Sequence, residues 1–214
     1  MRFFNLIAIG LFLSIPSFAS VCPNGDEPPM TVKTKAGPIL SVCGFEDHEV
    51  PTTKPKRAFI EFTVYFTSAK HSEPQKVFAS YPSDTFWIKD QDNKGLQLEE
   101  LWFFSDKPQA ALVREITCDA EQCQLSGATR CVFKIKPNTY PKALAKFEQQ
   151  QKKGKFDEDG EELLDQIFAQ ALTGDAKAAS FYAGEMPKGL DSAMIEAFTT
   201  NKQKIKEIKD LKCR

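Results

Sequence analysis

The stretch CDAEQCQLSGATRC, residues 118–131, marks the point where this 214-residue chain changes character. Before it, short runs of alternating apolar and polar residues are separated by turn residues, a pattern typical of β-strands. After it, apolar residues recur every three or four positions, a pattern typical of amphipathic helices. The stretch also holds three of the six cysteines. We therefore expect it to join a sheet to a helical part.

The clearest predicted strand covers residues 58–67, with the sequence AFIEFTVYFT. Its alternating apolar residues would share the buried face of a sheet: they are Ala58, Ile60, Phe62, Val64 and Phe66. Shorter strands are expected at residues 30–35, 38–43, 76–81, 85–89, 96–104, 111–118 and 130–136. Glu100 interrupts the apolar face of the strand at 96–104, which allows a bulge or a shorter strand there.

Helical patterns begin after Pro141. They predict a short helix from residue 143, a helix over 163–171 capped by Asp159, a third helix after Asp175, and a last helix from residue 190 towards Cys213. We thus expect an α+β fold stabilised by disulfides. An antiparallel sheet or small β-sandwich would lie within residues 20–137, and three or four helices within residues 138–214 would pack with it as one unit.

The first 19 residues indicate the compartment. A basic start at Arg2, an apolar run over residues 3–15 and small residues up to Ala19 predict a secretory signal peptide cleaved after Ala19. The apolar run is shorter than the roughly 20 residues that a spanning helix needs, and no later stretch reaches that length. We therefore expect an exported protein, periplasmic or extracellular, without a transmembrane segment.

The charges of the mature chain are nearly balanced. Without Arg2 it has 27 basic and 29 acidic residues, a net charge of −2. Nucleic-acid binding needs a clear basic excess or a basic face. The composition therefore argues against a nucleic-acid partner.

All six cysteines lie after the predicted signal peptide, and an even count in an oxidising compartment predicts disulfides. A hairpin through residues 119–122 would place Cys118 opposite Cys123, with their Cα atoms about 4.5–5.5 Å apart, inside the bridging range. Cys22 and Cys43 flank the first predicted hairpin. The pairing Cys22–Cys43, Cys118–Cys123 and Cys131–Cys213 is our hypothesis among the 15 possible connectivities.

Metal and catalytic motifs are weak. The cysteine spacing lacks the CxxC pattern of zinc and thioredoxin-like sites, and the two histidines, His48 and His71, lie in unrelated predicted loops. The acidic row 46–49 cannot converge on one ion, because neighbouring residues of an extended chain point to opposite sides. The run 157–160 lacks the first and last ligands of a calcium loop. We assign no catalytic, metal or cofactor residue.

The basic C-terminus is a further candidate surface. Six basic residues crowd the last predicted helix and the chain end: Lys202, Lys204, Lys206, Lys209, Lys212 and Arg214. Interleaved Glu207 and Asp210 favour a solvated helix face with intrahelical ion pairs.

Three functions stay open at this point. We favour an exported non-enzymatic module that binds a protein, a peptide or an envelope component. The alternatives are an envelope hydrolase with an Asp or Glu pair as acid and base, and a metal or redox protein that uses the cysteines. Two carboxylates facing each other in a concave site would favour the hydrolase.

Overall fold

The structure is a computed structural model that describes residues 21–23, 28–50, 52, 55–80, 84–104, 108–136, 138–156, 159–209 and 211. This part of the chain forms a nine-stranded antiparallel sheet followed by four helices, which confirms the predicted α+β class. The predicted signal peptide lies outside the described residues. None of the described helices has the length and apolar character needed to cross a membrane.

The strands are β1 (Met30–Lys33), β2 (Ile39–Glu46), β3 (Arg57–Thr67), β4 (Gln75–Ala79), β5 (Thr85–Asp90), β6 (Gly95–Phe103), β7 (Pro108–Cys118), β8 (Cys123–Leu125) and β9 (Arg130–Phe133). Their order in the sheet is β1-β2-β3-β5-β6-β7-β8, while β4 also pairs with β3 and β9 also pairs with β7.

Each of the two longest strands, β3 and β7, pairs along one edge with two shorter strands placed end to end. β3 pairs with β5 over residues 57–60 and with β4 over residues 63–66. β7 pairs with β9 over residues 110–113 and with β8 over residues 116–118. The sheet curls so that β4 comes close to β8. Just before these two strands begin, the Lys70 ammonium lies 2.6 Å from the Glu121 carboxylate. This ion pair links the segments that lead into β4 and β8.

A bulge in β3 shifts the alternation that the sequence predicts. Glu61 adopts φ 47°, and the register against β2 shifts next to Gly44. Phe59, fully buried, therefore faces the core with Phe62. Ala58 pairs with Trp87 on the opposite face instead. The prediction that Ala58 and Ile60 share the core face of Phe62 was wrong, because a bulge reverses the side-chain direction.

The helices are α1 (Ala143–Lys152), α2 (Gly160–Leu172), α3 (Ala176–Ala183) and α4 (Ser192–Ile208). The Asp175 carboxylate caps α3 by accepting hydrogen bonds from the N–H groups of Lys177 and Ala178, and Asp191 caps α4 in the same way. Asp159, the predicted cap of α2, makes no side-chain cap hydrogen bond. Its carboxylate pairs with Lys146 instead, and this contact lowers the pKa of Asp159.

The sheet contributes to two hydrophobic cores. The first lies inside the curl and includes Phe62, Phe86 and Leu98. The second joins the other end of the sheet to the helices and includes Trp102 and Phe168. One face of β6 supplies both cores, because Leu98 and Trp102 lie on the same side of the strand. Glu100 lies between them.

Two disulfides are present as predicted. The Cα atoms of Cys22 and Cys43 are 5.5 Å apart, and those of Cys118 and Cys123 are 4.1 Å apart. Cys131 is buried in the second core, and none of the described cysteines is a free thiol. Cys213 lies outside the described residues, so the pairing Cys131–Cys213 stays a prediction.

The β7–β8 hairpin is also fixed by its turn. The Asp119 carboxylate accepts hydrogen bonds from the backbone N–H groups of Glu121 and Gln122, at 2.8 and 2.9 Å. These bonds lower the pKa of Asp119. An Asp side chain that bonds the backbone two residues on is a common turn device.

Candidate functional site

A groove of about 600 Å³ opens between the two cores, where α4 meets the inner face of the sheet. We call it the junction groove. Its apolar floor consists of Phe78, Phe86 and Leu125. Its polar wall consists of Asp84, Glu100 and Arg114 from the sheet side and Glu196, Thr200, Gln203, Lys204 and Glu207 from α4; Ala79 and Ser80 form the rim.

The apolar floor is an aromatic cluster. The Phe78 and Phe86 rings meet edge to face with centroids 5.5 Å apart, and Phe62 lies beneath both. Phe78 is half-buried, unlike the other two rings. The floor thus offers ring surface to a ligand while its base stays packed.

Glu100 is the buried acid of the groove. One carboxylate oxygen, Oε1, accepts a hydrogen bond from Trp102 Nε1 at 2.8 Å and lies 2.9 Å from Lys204 Nζ. The Lys204 ammonium also lies 5.2 Å from the centroid of the Trp102 ring. No bulge occurs at Glu100, since the registers of β6 with β5 and β7 run through it. Lys204 and Trp102 satisfy the acid in place, and the register shift of β6 lies further along, between Trp102 and Phe103.

A second ion pair links α4 to the sheet, and in this pair the cation lies on the sheet and the acid on the helix. Arg114 on β7 pairs with Glu207 on α4. Positions 204 and 207 lie on the same face of a helix. The two pairs therefore hold one face of α4 against the sheet.

Behind Lys204, a buried polar network links three helices. The Asn201 side chain donates a hydrogen bond to the Asp165 carboxylate at 3.0 Å, and the Tyr182 hydroxyl donates to the Leu164 carbonyl at 2.6 Å. Burial raises the pKa of Asp165, against the opposing effects of Asn201 and Lys204. Burial likewise raises the pKa of Tyr182. These groups lie within the helical core and hold α2, α3 and α4 together.

Two of the four acids in the junction groove are neutralised by cations. Glu100 and Glu207 are each paired with a cation, whereas a general acid needs a carboxyl group in an apolar, unpaired environment. Among the described residues, no group of His, Cys, Asp and Glu side chains is placed to hold a metal ion. Apolar surface with a few fixed polar groups is the usual lining of a ligand site.

The residues that the sequence singled out are dispersed. His71 packs against Phe66 at one end of β3, and His48 lies in the loop near the other end. Glu46 pairs with Arg57, and this contact lowers the pKa of Glu46. Asp47 instead accepts hydrogen bonds from the backbone of its own loop, so the acidic row does not converge.

The C-terminal lysines are not all solvated, contrary to the sequence prediction. The Lys204 side chain is only 18% exposed because it reaches the buried Glu100. Lys206 is exposed, as predicted. Lys212 and Arg214 lie outside the described residues. In the sequence, Glu100 in an apolar strand face was the one signal of the site, and nothing near it indicated Lys204.

Comparisons with protein-family models, with curated proteins and with solved structures found no match.

Proposed function

We propose that this protein is an exported, non-enzymatic binding module and that its junction groove holds an extended peptide segment. The predicted signal peptide supports export. The disulfides support it further, because such bonds persist in oxidising compartments.

The observation that carries the peptide proposal is the outer edge of β4. This edge comes close to β8 but pairs with no strand of the described residues, and its Ala79 end lies beside the apolar floor. β4 pairs with β3 on one side. The backbone N–H of Ser80 donates to the Phe62 carbonyl at 2.9 Å. Because hydrogen-bonded residues alternate along an antiparallel strand, the N–H and C=O of Ala79 point away from β3. Ala79 is exposed and lies at the rim of the groove.

An exposed strand edge is a template for a further strand. Strand addition supplies main-chain hydrogen bonds, while pockets beside the edge select alternate side chains of the added peptide. Here the pocket beside Ala79 is the floor formed by Phe78, Phe86 and Leu125. We therefore expect a peptide that places one apolar side chain on this floor.

The charges of the wall favour a basic residue next to that apolar one. Four carboxylates and two cations line the groove. Glu100 and Glu207 are matched by Lys204 and Arg114, whereas exposed Glu196 has no ion pair among the described residues. A Lys or Arg of the peptide would be attracted to Glu196.

The test is selection from a random peptide library displayed on phage, followed by affinity measurement on the purified protein. We expect selected peptides to combine an apolar residue with a basic one. The variant Ala79→Pro removes the N–H that a new strand would use, and Pro is tolerated at strand edges. Ala79→Ser keeps the N–H and is its matched control.

The expected result is that Ala79→Pro weakens peptide binding about tenfold or more, the scale of one or two lost hydrogen bonds, while Ala79→Ser does not. Glu196→Lys should weaken it several-fold, and Glu185→Lys, at an exposed acid outside the groove, should leave it unchanged. Selected peptides that bind Ala79→Pro as tightly as the wild type would contradict strand addition.

An envelope hydrolase remains the second candidate, because four carboxylates line one groove. Purified protein that degrades isolated cell-wall polymer, with the loss of that activity in Glu196→Gln, would favour the hydrolase. A metal or redox function would require reactive thiols, and titration of the native protein with a thiol reagent tests it.

A further inference from the structure

A second, smaller cavity lies on the outer face of the sheet. It has a volume of about 230 Å³, below the size of a typical site for a drug-sized ligand. Its apolar floor consists of Trp87, Leu101, Ala111 and Val132, which neighbouring strands bring to one face. The junction groove opens on the opposite face, so the two cavities are separate.

Glu99 in this cavity is already neutralised. It is buried, and its Oε2 lies 2.7 Å from the Lys56 ammonium. Its other oxygen, Oε1, accepts a hydrogen bond from the Gln97 side chain. Both oxygens are thus occupied by protein groups, and the carboxylate repels a bound anion less than a free acid would.

The same chain of side chains positions Arg130. The Gln97 side-chain oxygen accepts a hydrogen bond from the Arg130 guanidinium at 3.1 Å. Lys134 lines the cavity two residues beyond Val132. Neither Arg130 nor Lys134 has an acidic partner among the described residues. Three cations and one carboxylate therefore surround the apolar floor, an excess of two positive charges.

Trp87 supplies the flat surface of the floor and an unused donor. The Lys56 ammonium lies 4.7 Å from the centroid of its ring. The Trp87 indole Nε1 is buried and has no hydrogen-bond partner among the described residues, although a buried indole N–H usually has one.

We propose that this outer-face cavity binds a small organic anion that carries its acidic group on a flat apolar body. Arg130 and Lys134 would hold the acidic group, since a guanidinium is suited to a carboxylate in geometry and charge. Trp87 and Val132 would contact the flat body. The site is independent of peptide binding in the junction groove.

Nuclear magnetic resonance of the two indole N–H groups tests this proposal, because the chain has two tryptophans. Trp87 reports on the outer-face cavity and Trp102 on the junction groove, and the variant Trp102→Phe assigns the two signals. The probe is 2-naphthoate. The neutral 2-naphthamide tests the need for charge, and inorganic phosphate tests whether charge alone suffices.

We expect 2-naphthoate to shift the Trp87 indole signal and to leave that of Trp102 in place. The amide should bind at least about tenfold more weakly, which corresponds to one charge-assisted contact, and phosphate should be weaker than naphthoate. Arg130→Gln and Lys134→Gln should each weaken naphthoate several-fold, and Lys206→Gln, an exposed lysine on α4, should not.

Three results would overturn the proposal. One is a naphthoate effect on Trp102 alone or on neither indole. Another is equal binding of naphthoate and naphthamide, which would leave only an apolar patch. The third is phosphate binding as tight as that of naphthoate, which would leave only a basic patch. Arg130 and Lys134 are exposed, so unchanged thermal unfolding of their variants will separate lost binding from lost folding.

Discussion

At the scale of single residues, Glu100 explains how an acid is kept between two hydrophobic cores. A buried charge is costly unless it is paired and hydrogen-bonded. Lys204 and Trp102 provide both contacts, so removing Lys204 alone should leave an uncompensated carboxylate. Because both side chains keep some exposure, 10% for Glu100 and 18% for Lys204, we expect Lys204→Met to destabilise the fold by about 2–3 kcal/mol, discounted for solvent screening.

The double variant Glu100→Gln with Lys204→Met should recover more than half of this loss, because it removes the stranded charge and keeps an acceptor for the Trp102 indole. Urea unfolding measures both values. Lys206→Met, at an exposed lysine of the same helix, is the control. If Lys204→Met lowered the free energy of unfolding no more than the control does, the Glu100–Lys204 pair would contribute nothing to stability.

The buried Asp165 predicts how the stability of the fold depends on pH. Burial raises its pKa above the ordinary value of 3.8, so the folded protein binds more protons than the unfolded chain between the two pKa values. Stability therefore falls as pH rises through that window. Asp165→Asn should raise the thermal midpoint at neutral pH, and the gain should disappear below the ordinary Asp pKa. Glu185→Gln, an exposed acid, should show no such dependence, and a pH-independent effect of Asp165→Asn would contradict the assignment.

Glu100 stands out in the sequence as an acid in an apolar strand face, but the sequence does not indicate its partners. Trp102 stands two residues away, yet Lys204 is brought to it by the packing of α4, which no local pattern encodes. Lys204 is one of six basic residues near the C-terminus, and nothing in its sequence neighbourhood sets it apart from the other five. Only the register of the helix on the sheet distinguishes Lys204 from them.

At the scale of elements, the bulge of β3 decides which side chains face the first core. Gly44 on β2 adopts φ 151°, and a Cβ atom added there would lie 2.6 Å from the backbone of Phe62. Gly44→Ala would thus combine backbone strain with a clash that backbone atoms cannot avoid. We expect it to destabilise the fold by about 2–4 kcal/mol in urea unfolding.

Gly127→Ala is the matched control, because no atom of the described residues lies within 4 Å of an added Cβ and φ at Gly127 is not in the left-handed region. It should change stability by less than about 0.5 kcal/mol. If the two variants behaved alike, the close approach of β2 to the bulge would not matter for stability.

The strand pattern itself was largely readable. Alternation identified β3, β5, β6 and β7, because each has one face on a core. It failed at the bulge, where the direction of Phe59 depends on a contact across two strands. The short β8 has no apolar alternation to read, and the sequence indicated it only as the second arm of the hairpin that would place Cys118 opposite Cys123.

At the scale of the whole molecule, the disulfides differ in the length of the loop that each one closes. The Cys118–Cys123 bond closes a loop with a sequence separation of 5 and mainly fixes a turn. The predicted Cys131–Cys213 bond would close the largest loop and would contribute roughly 4–5 kcal/mol in the chain-entropy model. We expect Cys213→Ser to expose α4 to amide hydrogen exchange while the strands stay protected. Unchanged thermal stability in that variant would contradict this role.

The fold class followed from the order of strand and helix patterns, whereas the junction groove did not. Its floor and wall come from β4, β5, β6, β7, β8 and α4, which are distant in sequence. Phe78, Arg114 and Glu196 look like ordinary strand and helix residues until the sheet curls and α4 docks. The groove is a property of the tertiary arrangement alone.

The central claim, that the groove receives a peptide as an added strand, is tested most directly by hydrogen exchange at the amide of Ala79, followed by nuclear magnetic resonance. In the free protein this N–H points away from β3 and should exchange fast, like other unpaired edge amides. A selected peptide at saturating concentration should slow the exchange by at least about tenfold, since it would accept a hydrogen bond from this amide. A peptide that binds while the Ala79 amide continues to exchange at its free rate would contradict the account.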